Sequence, residues 1–237
     1  MVLCFGDSIT EGRPGATYLK YVKSPKQYKN FGLGGDTLIG MTKRLVSAIE
    51  DPKYRDVKTI IIGIGTNDVL HPYLKFYNKT WKKIVAGLVL RGSVPCRDEA
   101  EFSQRYENLL QILKQAGKET IIFGIPLLET DIAELNQRAV EYNKIIIELC
   151  GKFSLTYIDI MGFQRDIKNR QNNTGSHFFS KNIFEPVVLA ILTTYLPFTD
   201  EVSRRRGLAV SVDGVHMNTV SAKGLAGLID NAVRGRM

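Results

Sequence analysis

The chain has 237 residues, of which 44% are hydrophobic and 24% charged, a balance that excludes a disordered chain, a collagen and a coiled coil. Its length suits one α/β domain, here taken as residues 1–237, and three widely spaced cysteines (Cys4, Cys96 and Cys150) make neither a disulfide framework nor a cysteine-built zinc site. The formal net charge of +8 favours anionic partners, yet no zinc-finger spacing, RNA-recognition signature or basic heptad array points to nucleic acid.

No apolar run is long enough to span a bilayer. Residues 2–5 (VLCF) run straight into Gly6-Asp7-Ser8 and leave no room for a secretory leader. With Met1 as the native start, the expectation is a cytoplasmic protein without stable membrane insertion.

In chain order, residues 2–5 read as a short first strand closed by Gly6. Residues 28–31 are a weaker strand candidate. Leu38, Met41, Leu45 and Ile49 step by 3, 4 and 4 residues, which places them on one face of a helix. Residues 58–65 (KTIIIGIG) are apolar on both faces, as a buried parallel strand requires. Between positions 75 and 91 stand Lys75, Lys79, Lys82, Lys83 and Arg91 with no acidic residue, which reads as a solvated helix face. Phe102, Tyr106, Leu109, Leu110 and Leu113 form the next helical stripe, stopped by Gly117. Residues 119–124 (ETIIFG) are a strand. Ile132, Leu135, Ala139, Tyr142, Ile146 and Leu149 mark a helix, and residues 155–160 (LTYIDI) mark the fifth strand.

Residues 161–212 are too many for an unstructured connection. Within them, residues 182–198 (NIFEPVVLAILTTYLPF) are apolar and predicted helical after Pro186. The whole stretch reads as an inserted lid or subdomain, with an extra packed helix as the alternative. Its apolar part suits the wall of an acyl site. Residues 220–233 close the chain as a helix. Strands alternating with helices imply right-handed crossovers and a parallel sheet covered on both faces.

Four short motifs stand at strand ends or near the C-terminus: Gly6-Asp7-Ser8-Ile9-Thr10, then Asn30-Phe31-Gly32-Leu33-Gly34-Gly35-Asp36-Thr37, then Gly65-Thr66-Asn67-Asp68, and finally Asp213-Gly214-Val215-His216. Singly each is a common turn or cap. The glycines from 32 to 35 do not fit the dinucleotide fingerprint, whose sixth place is Thr37. Together the motifs are specific. In a doubly wound sheet of order 2-1-3-4-5, ligands bind at the carboxyl ends of the strands where the winding switches. Ser8, Gly35 and Asn67 emerge on that edge as one nucleophile candidate and two oxyanion-donor candidates. Asp213 can hold Nδ1–H of His216 within one turn, leaving Nε2 to take the serine proton.

These four blocks, in this order, resemble the GDSL/SGNH hydrolase family. The name residues of that family match Ser8, Gly35, Asn67 and His216, with Asp213 as the acid, and its Asn-x-Gly-x-x-Gly block matches Asn30, Gly32 and Gly35. The resemblance covers residues 1–160 and 213–237. It implies a flavodoxin-like three-layer α/β/α fold and a serine esterase or acylhydrolase working through an acyl-enzyme. Ser8, Asp213 and His216 are then catalytic, the N–H groups of Ser8 and Gly35 with the Asn67 amide form the oxyanion hole, and no metal or organic cofactor is required.

Asp7 and Thr10 are expected to brace the nucleophile turn, Asp36 and Asp68 to start helices, and His71 and His177 to lie on the surface or in loops. The partner is a small-molecule ester. Its acyl and alcohol parts are not legible, although the basic 75–91 stretch and the apolar 182–198 segment lean toward an anionic amphiphile such as a lysophospholipid. Lysophospholipase-like and thioesterase-like activities and carbohydrate O-deacetylation all stay open. The competing class is a non-catalytic flavodoxin-like ligand-binding domain, which predicts no paired serine and histidine.

Overall fold

A computed structural model describes residues 1–178, 184–196 and 198–235. Five strands, β1 (Val2–Gly6), β2 (Tyr28–Gly32), β3 (Thr59–Gly63), β4 (Glu119–Phe123) and β5 (Thr156–Ile158), run parallel in the order β2-β1-β3-β4-β5. The expected doubly wound topology is therefore present. Side chains alternate across the sheet with the period of two that a strand imposes. Leu3, Phe5, Ile60, Ile62 and Ile122 face one core, which holds α2 (Leu38–Glu50), α5 (Glu99–Gln115) and α6 (Ala133–Lys152). Val2, Cys4, Ile61, Ile121 and Phe123 face a second core, closed by α10 (Thr219–Arg234). All three cysteines are buried and free.

Gly6 is paired with Gly32 on one side and Gly63 on the other, so β1, β2 and β3 end at one level. That register brings their three following loops together at the carboxyl edge of the sheet. Ser8 opens the short helix α1 (Ser8–Glu11), and β3 leads into α3 (Thr66–Tyr77).

The strands are shorter than the apolar runs that announce them. The 155–160 run yields only three strand residues, because Asp159 caps α7 (Ile160–Arg170) by accepting from the Gly162 N–H at 2.8 Å. Ile132 precedes α6 as its cap residue. The basic 75–91 stretch spans the end of α3 and all of α4 (Lys79–Leu90), which Asn78 starts by accepting from the Trp81 N–H at 2.9 Å.

The described part of residues 161–212 is largely helical, carrying most of α7, all of α8 (Phe184–Thr194) and all of α9 (Thr199–Arg205). Of the predicted 182–198 helix, residues 182, 183 and 197 lie outside the described residues. Thr193 Oγ1 of α8 accepts from the Gly15 N–H at 3.0 Å, tying the segment to the loop after α1. Among the described residues, no helix is long and apolar enough to cross a membrane.

Candidate active site

Ser8 is held by a cap. The Asp7 Oδ1 accepts from the Ile9 N–H at 2.9 Å, and Gly12 ends α1 in the left-handed conformation with its N–H on the Ser8 carbonyl. This is the bracing expected of Asp7. Burial pushes the Asp7 carboxyl up to about 7, against the Ile9 N–H and the charge of His216. Thr10 braces through its carbonyl, which accepts from Thr17 Oγ1 at 2.8 Å and Asn30 Nδ2 at 3.1 Å.

The Ser8 Oγ lies 2.9 Å from Nε2 of His216, and Nδ1 of the same ring lies 2.7 Å from Asp213 Oδ2. The other Asp213 oxygen accepts from the N–H groups of Val215 and His216, at 3.1 and 2.8 Å. With a carboxylate at Nδ1, the hydrogen belongs there, and Nε2 is left to accept from the serine hydroxyl. Burial alone lowers the imidazole pKa, but the Asp213 charge and hydrogen bond outweigh it, and the net direction for His216 is upward. Burial raises Asp213, and His216 reverses that, so the carboxyl ends below its ordinary range. The ring can therefore take a proton from Ser8 and keep it beside a carboxylate.

Gly35 and Asn67 reach the same place. Gly34 donates to Glu11 Oε2 at 2.7 Å and Asp36 N–H to the Leu33 carbonyl at 3.1 Å, while the Gly35 N–H between them meets no acceptor among the described residues. Gly35 has φ of +75°, so the backbone there favours glycine, and a Cβ would press on the Leu88 methyls at 2.7 Å. The Ser8 N–H, first in its helix, has no intrahelical partner. Asn67 Nδ2 spends one hydrogen on the Asp36 carbonyl at 2.8 Å, which orients the amide and leaves its second hydrogen for another acceptor.

Ser8, Gly35, Asn67 and His216 all line one cavity of 240 Å³. Most of its apolar wall comes from α3 and α4, through Leu70, Leu74, Trp81, Val85 and Leu88, with Pro14 and Val215 beside them. No described residue of 161–212 contributes to it, so the apolar wall expected from that segment is not found among the described residues.

One reading needs correction, and the two helix-start residues carry further bonds. His71 is not on the surface: it is 2% exposed on α3 and lines the cavity, and burial pushes its pKa down to about 4. Asp68 stands in the first turn of α3, but its carboxylate caps a neighbour. Oδ2 accepts from the Leu38 N–H that opens α2 and Oδ1 from Cys96, both at 2.9 Å. Asp36 precedes α2, and its carboxylate takes the Arg44 guanidinium at 2.6 Å and Ser93 Oγ at 3.1 Å. His177 does lie in a loop, half-buried, with Nε2 3.2 Å from Arg206.

The motifs do not announce two supports. Arg44 donates to the carbonyls of Phe31 and Gly6 at 2.7 and 3.1 Å as well as to Asp36, joining the ends of β1 and β2 to the loop of Gly35. Glu129, fully buried, accepts from the N–H groups of Ala209, Val210 and Ser211 at 2.8, 3.1 and 2.8 Å and holds the loop that leads to Asp213. A lone arginine and a lone glutamate carry no spacing signal, so neither could be found before the chain was folded.

The sheet order defines a doubly wound α/β fold, and the site stands at its carboxyl edge. A family profile described as GDSL-like Lipase/Acylhydrolase matches residues 2–229. The chain belongs to that family, and it is a carboxylic ester hydrolase. Similar solved structures include a lipase/acylhydrolase from Enterococcus faecalis, 18% identical with a TM-score of 0.59, covering 99% of this chain and 95% of that one. A GDSL-like lipase from Bacteroides thetaiotaomicron is 15% identical, with a TM-score of 0.59 and coverage of 100% and 88%. The acetyl xylan esterase AlAXEase is 19% identical, with a TM-score of 0.60 and coverage of 98% for each chain. No curated protein matches significantly.

Proposed function

We propose that Ser8, His216 and Asp213 are the catalytic triad of this esterase, and that the N–H groups of Ser8 and Gly35 with the Asn67 amide are its oxyanion hole. The single observation that carries the reading is the hydrogen-bonded chain from Ser8 Oγ through His216 to Asp213, at 2.9 and 2.7 Å, beside the cavity. Ser8 Oγ bonds to the ester carbonyl carbon while its proton passes to His216 Nε2. The carbonyl electron pair becomes an oxyanion, met by the three donors. Collapse breaks the bond to the alcohol, which leaves with the proton from His216. Water, deprotonated by the same ring, then releases the acid from Ser8.

The acyl part is read as short. At 240 Å³ the cavity is smaller than the roughly 300–1,000 Å³ of sites for drug-sized ligands. This favours acetyl or similarly short esters, the O-deacetylase alternative among them, over the long acyl chain of a lysophospholipid. Segment 161–212 is read as part of the one domain and as a partial cover, since α8 is bonded to Gly15 beside Arg13 and Pro14, which line the cavity. A fluorophosphonate probe tests the assignment: it is expected to label Ser8 of the native enzyme, and an unlabelled serine would return the site to the ligand-binding class. In a panel of esters of one alcohol, kcat/KM is expected to be higher for acetyl and butyryl than for lauroyl.

Asn67→Ala is expected to lower kcat by about 10² to 10³ with little change in KM, because the amide serves the oxyanion more than the ground-state carbonyl. A change confined to KM would make Asn67 a substrate-positioning residue. The pH dependence follows from the raised pKa of His216. The base must be neutral, so kcat/KM rises with pH, and the midpoint of the rise lies above the ordinary imidazole value of about 6.5. Asp7→Asn keeps the oxygen that caps Ile9 but removes the negative charge that Asp7, titrating at about 7, carries in part beside the ring, and the midpoint should move down slightly. A flat profile contradicts the role of His216 as base, and an upward move contradicts its coupling to Asp7.

A further inference from the structure

We propose that the outer face of the α3–α4 pair is a docking surface for an anionic lipid bilayer. Between Asp68 and Asp98 the chain has no acidic residue and six basic ones: Lys75, Lys79, Lys82, Lys83, Arg91 and Arg97. All six are exposed. Arg97 pairs with Glu101, but among the described residues no carboxylate pairs with the other five.

The placement on α4 is ordered. Trp81, Ile84, Val85 and Leu88 turn inward and line the cavity beside Ser8. The exposed stripe at Lys79, Lys82, Lys83, Ala86 and Leu90 follows helical spacing on the other side. It is cationic over its first turns and apolar at its end. Leu90 is 89% exposed and Phe76, at the end of α3, is 82% exposed. Between them runs a mainly apolar groove of 640 Å³, with Lys75, Lys82 and Arg97 among its lining residues.

These residues do little for the fold. Positive charge in the first turns of a helix opposes the helix dipole, and the first turn of α4 has no acidic residue to offset it. Leu90 and Phe76 remove little apolar surface from water as they stand. A bilayer with anionic headgroups answers both features: the lysines meet phosphate and carboxylate, and the two apolar side chains enter the headgroup–acyl boundary. A second copy docked through the same face would set lysines against lysines. Nucleic acid would satisfy the charge but leave Leu90 in water. The groove and the Ser8 cavity share His71 and Val85 in their linings, so a docked bilayer would lie one layer of side chains from that cavity.

The inference is independent of the catalytic assignment, and sedimentation with vesicles tests it directly. The native protein is expected to pellet with phosphatidylcholine vesicles containing a third phosphatidylserine, at least ten-fold more tightly than with phosphatidylcholine alone, and to lose that binding as salt rises. Replacing Lys79, Lys82 and Lys83 together by Gln should weaken it about 100-fold, since each basic residue near an anionic surface is worth about five-fold. Phe76→Ser with Leu90→Ser should weaken what remains at raised salt. Both variants should keep kcat/KM on a soluble short ester. Native protein that stays in the supernatant, equal pelleting with neutral vesicles, or lysine variants that bind as before would overturn the proposal. So would preference for duplex DNA over vesicles, or dimerisation lost on Leu90→Ser. The salt titration needs no substitution, so it decides even if a variant fails to fold.

Discussion

Ser8→Ala is expected to abolish ester hydrolysis, lowering kcat by about 10⁵ to 10⁶, the scale of removing a triad serine. The hydroxyl is the atom that must bond to the carbonyl carbon, and His216 cannot replace it as a tethered nucleophile without remaking the site. The substitution should leave the fold alone. Ser8 Oγ makes its one hydrogen bond to His216, alanine is favourable at a helical position, and the cap from Asp7 runs through backbone that the change does not touch. Thermal melting and kcat measured on one preparation separate the two effects. Activity above a tenth of the native value, with the melting temperature unchanged, would remove Ser8 from the mechanism.

Asp213→Asn is the second large effect, expected at about 10⁴ in kcat. The carboxylate does two things with two oxygens. Oδ1 receives the N–H groups of Val215 and His216, a turn that an asparagine oxygen can keep, whereas Oδ2 faces His216 Nδ1. An amide NH₂ in that second place turns a donor toward the ring. Nδ1 then serves best as an acceptor, the ring hydrogen moves to Nε2, and Nε2 can no longer accept the proton of Ser8. The imidazolium formed during attack also loses its counter-charge. If the loss stays below about 100-fold, Asp213 shapes the loop and does not direct the tautomer.

Much of the site was legible because its residues sit in short blocks tied to strand ends. Gly6-Asp7-Ser8 follows the first apolar run, the Gly32–Gly35 stretch follows the second, and Asn67 follows the third. Once apolar runs alternating with helical stripes define a parallel doubly wound sheet, those positions share an edge, and the Gly6, Gly32 and Gly63 register puts the first three strand ends level. Asp213 and His216 were legible for a local reason, their spacing within one turn.

The residues less fully read share a different property: their partners are distant in the chain. Asp68 does stand at the start of its own helix, but spacing says nothing of Leu38 and Cys96, which its carboxylate serves. His71 looked like a surface histidine because burial on α3 depends on helices packed around it. The α3–α4 pair was hard to read, with Pro72 inside one helix and lysines across the start of the other, yet it supplies the apolar wall beside Ser8. Arg44 and Glu129 gave no signal, since one charged side chain is chemically mute until folding surrounds it with backbone groups.

The amino-acid sequence by itself determined the alternation of strands and helices, and through its motifs the family and the identities of the residues around Ser8, because alternation, helical period and short motifs are local properties of the chain; the strand order came with the family resemblance. Only the tertiary structure decided which residues form the apolar wall beside Ser8, which buried charges hold the loops of Gly35 and Asp213, and which face of α4 looks outward. Those depend on contacts between residues tens to hundreds of positions apart, where packing and the pairing of buried polar groups choose the partner.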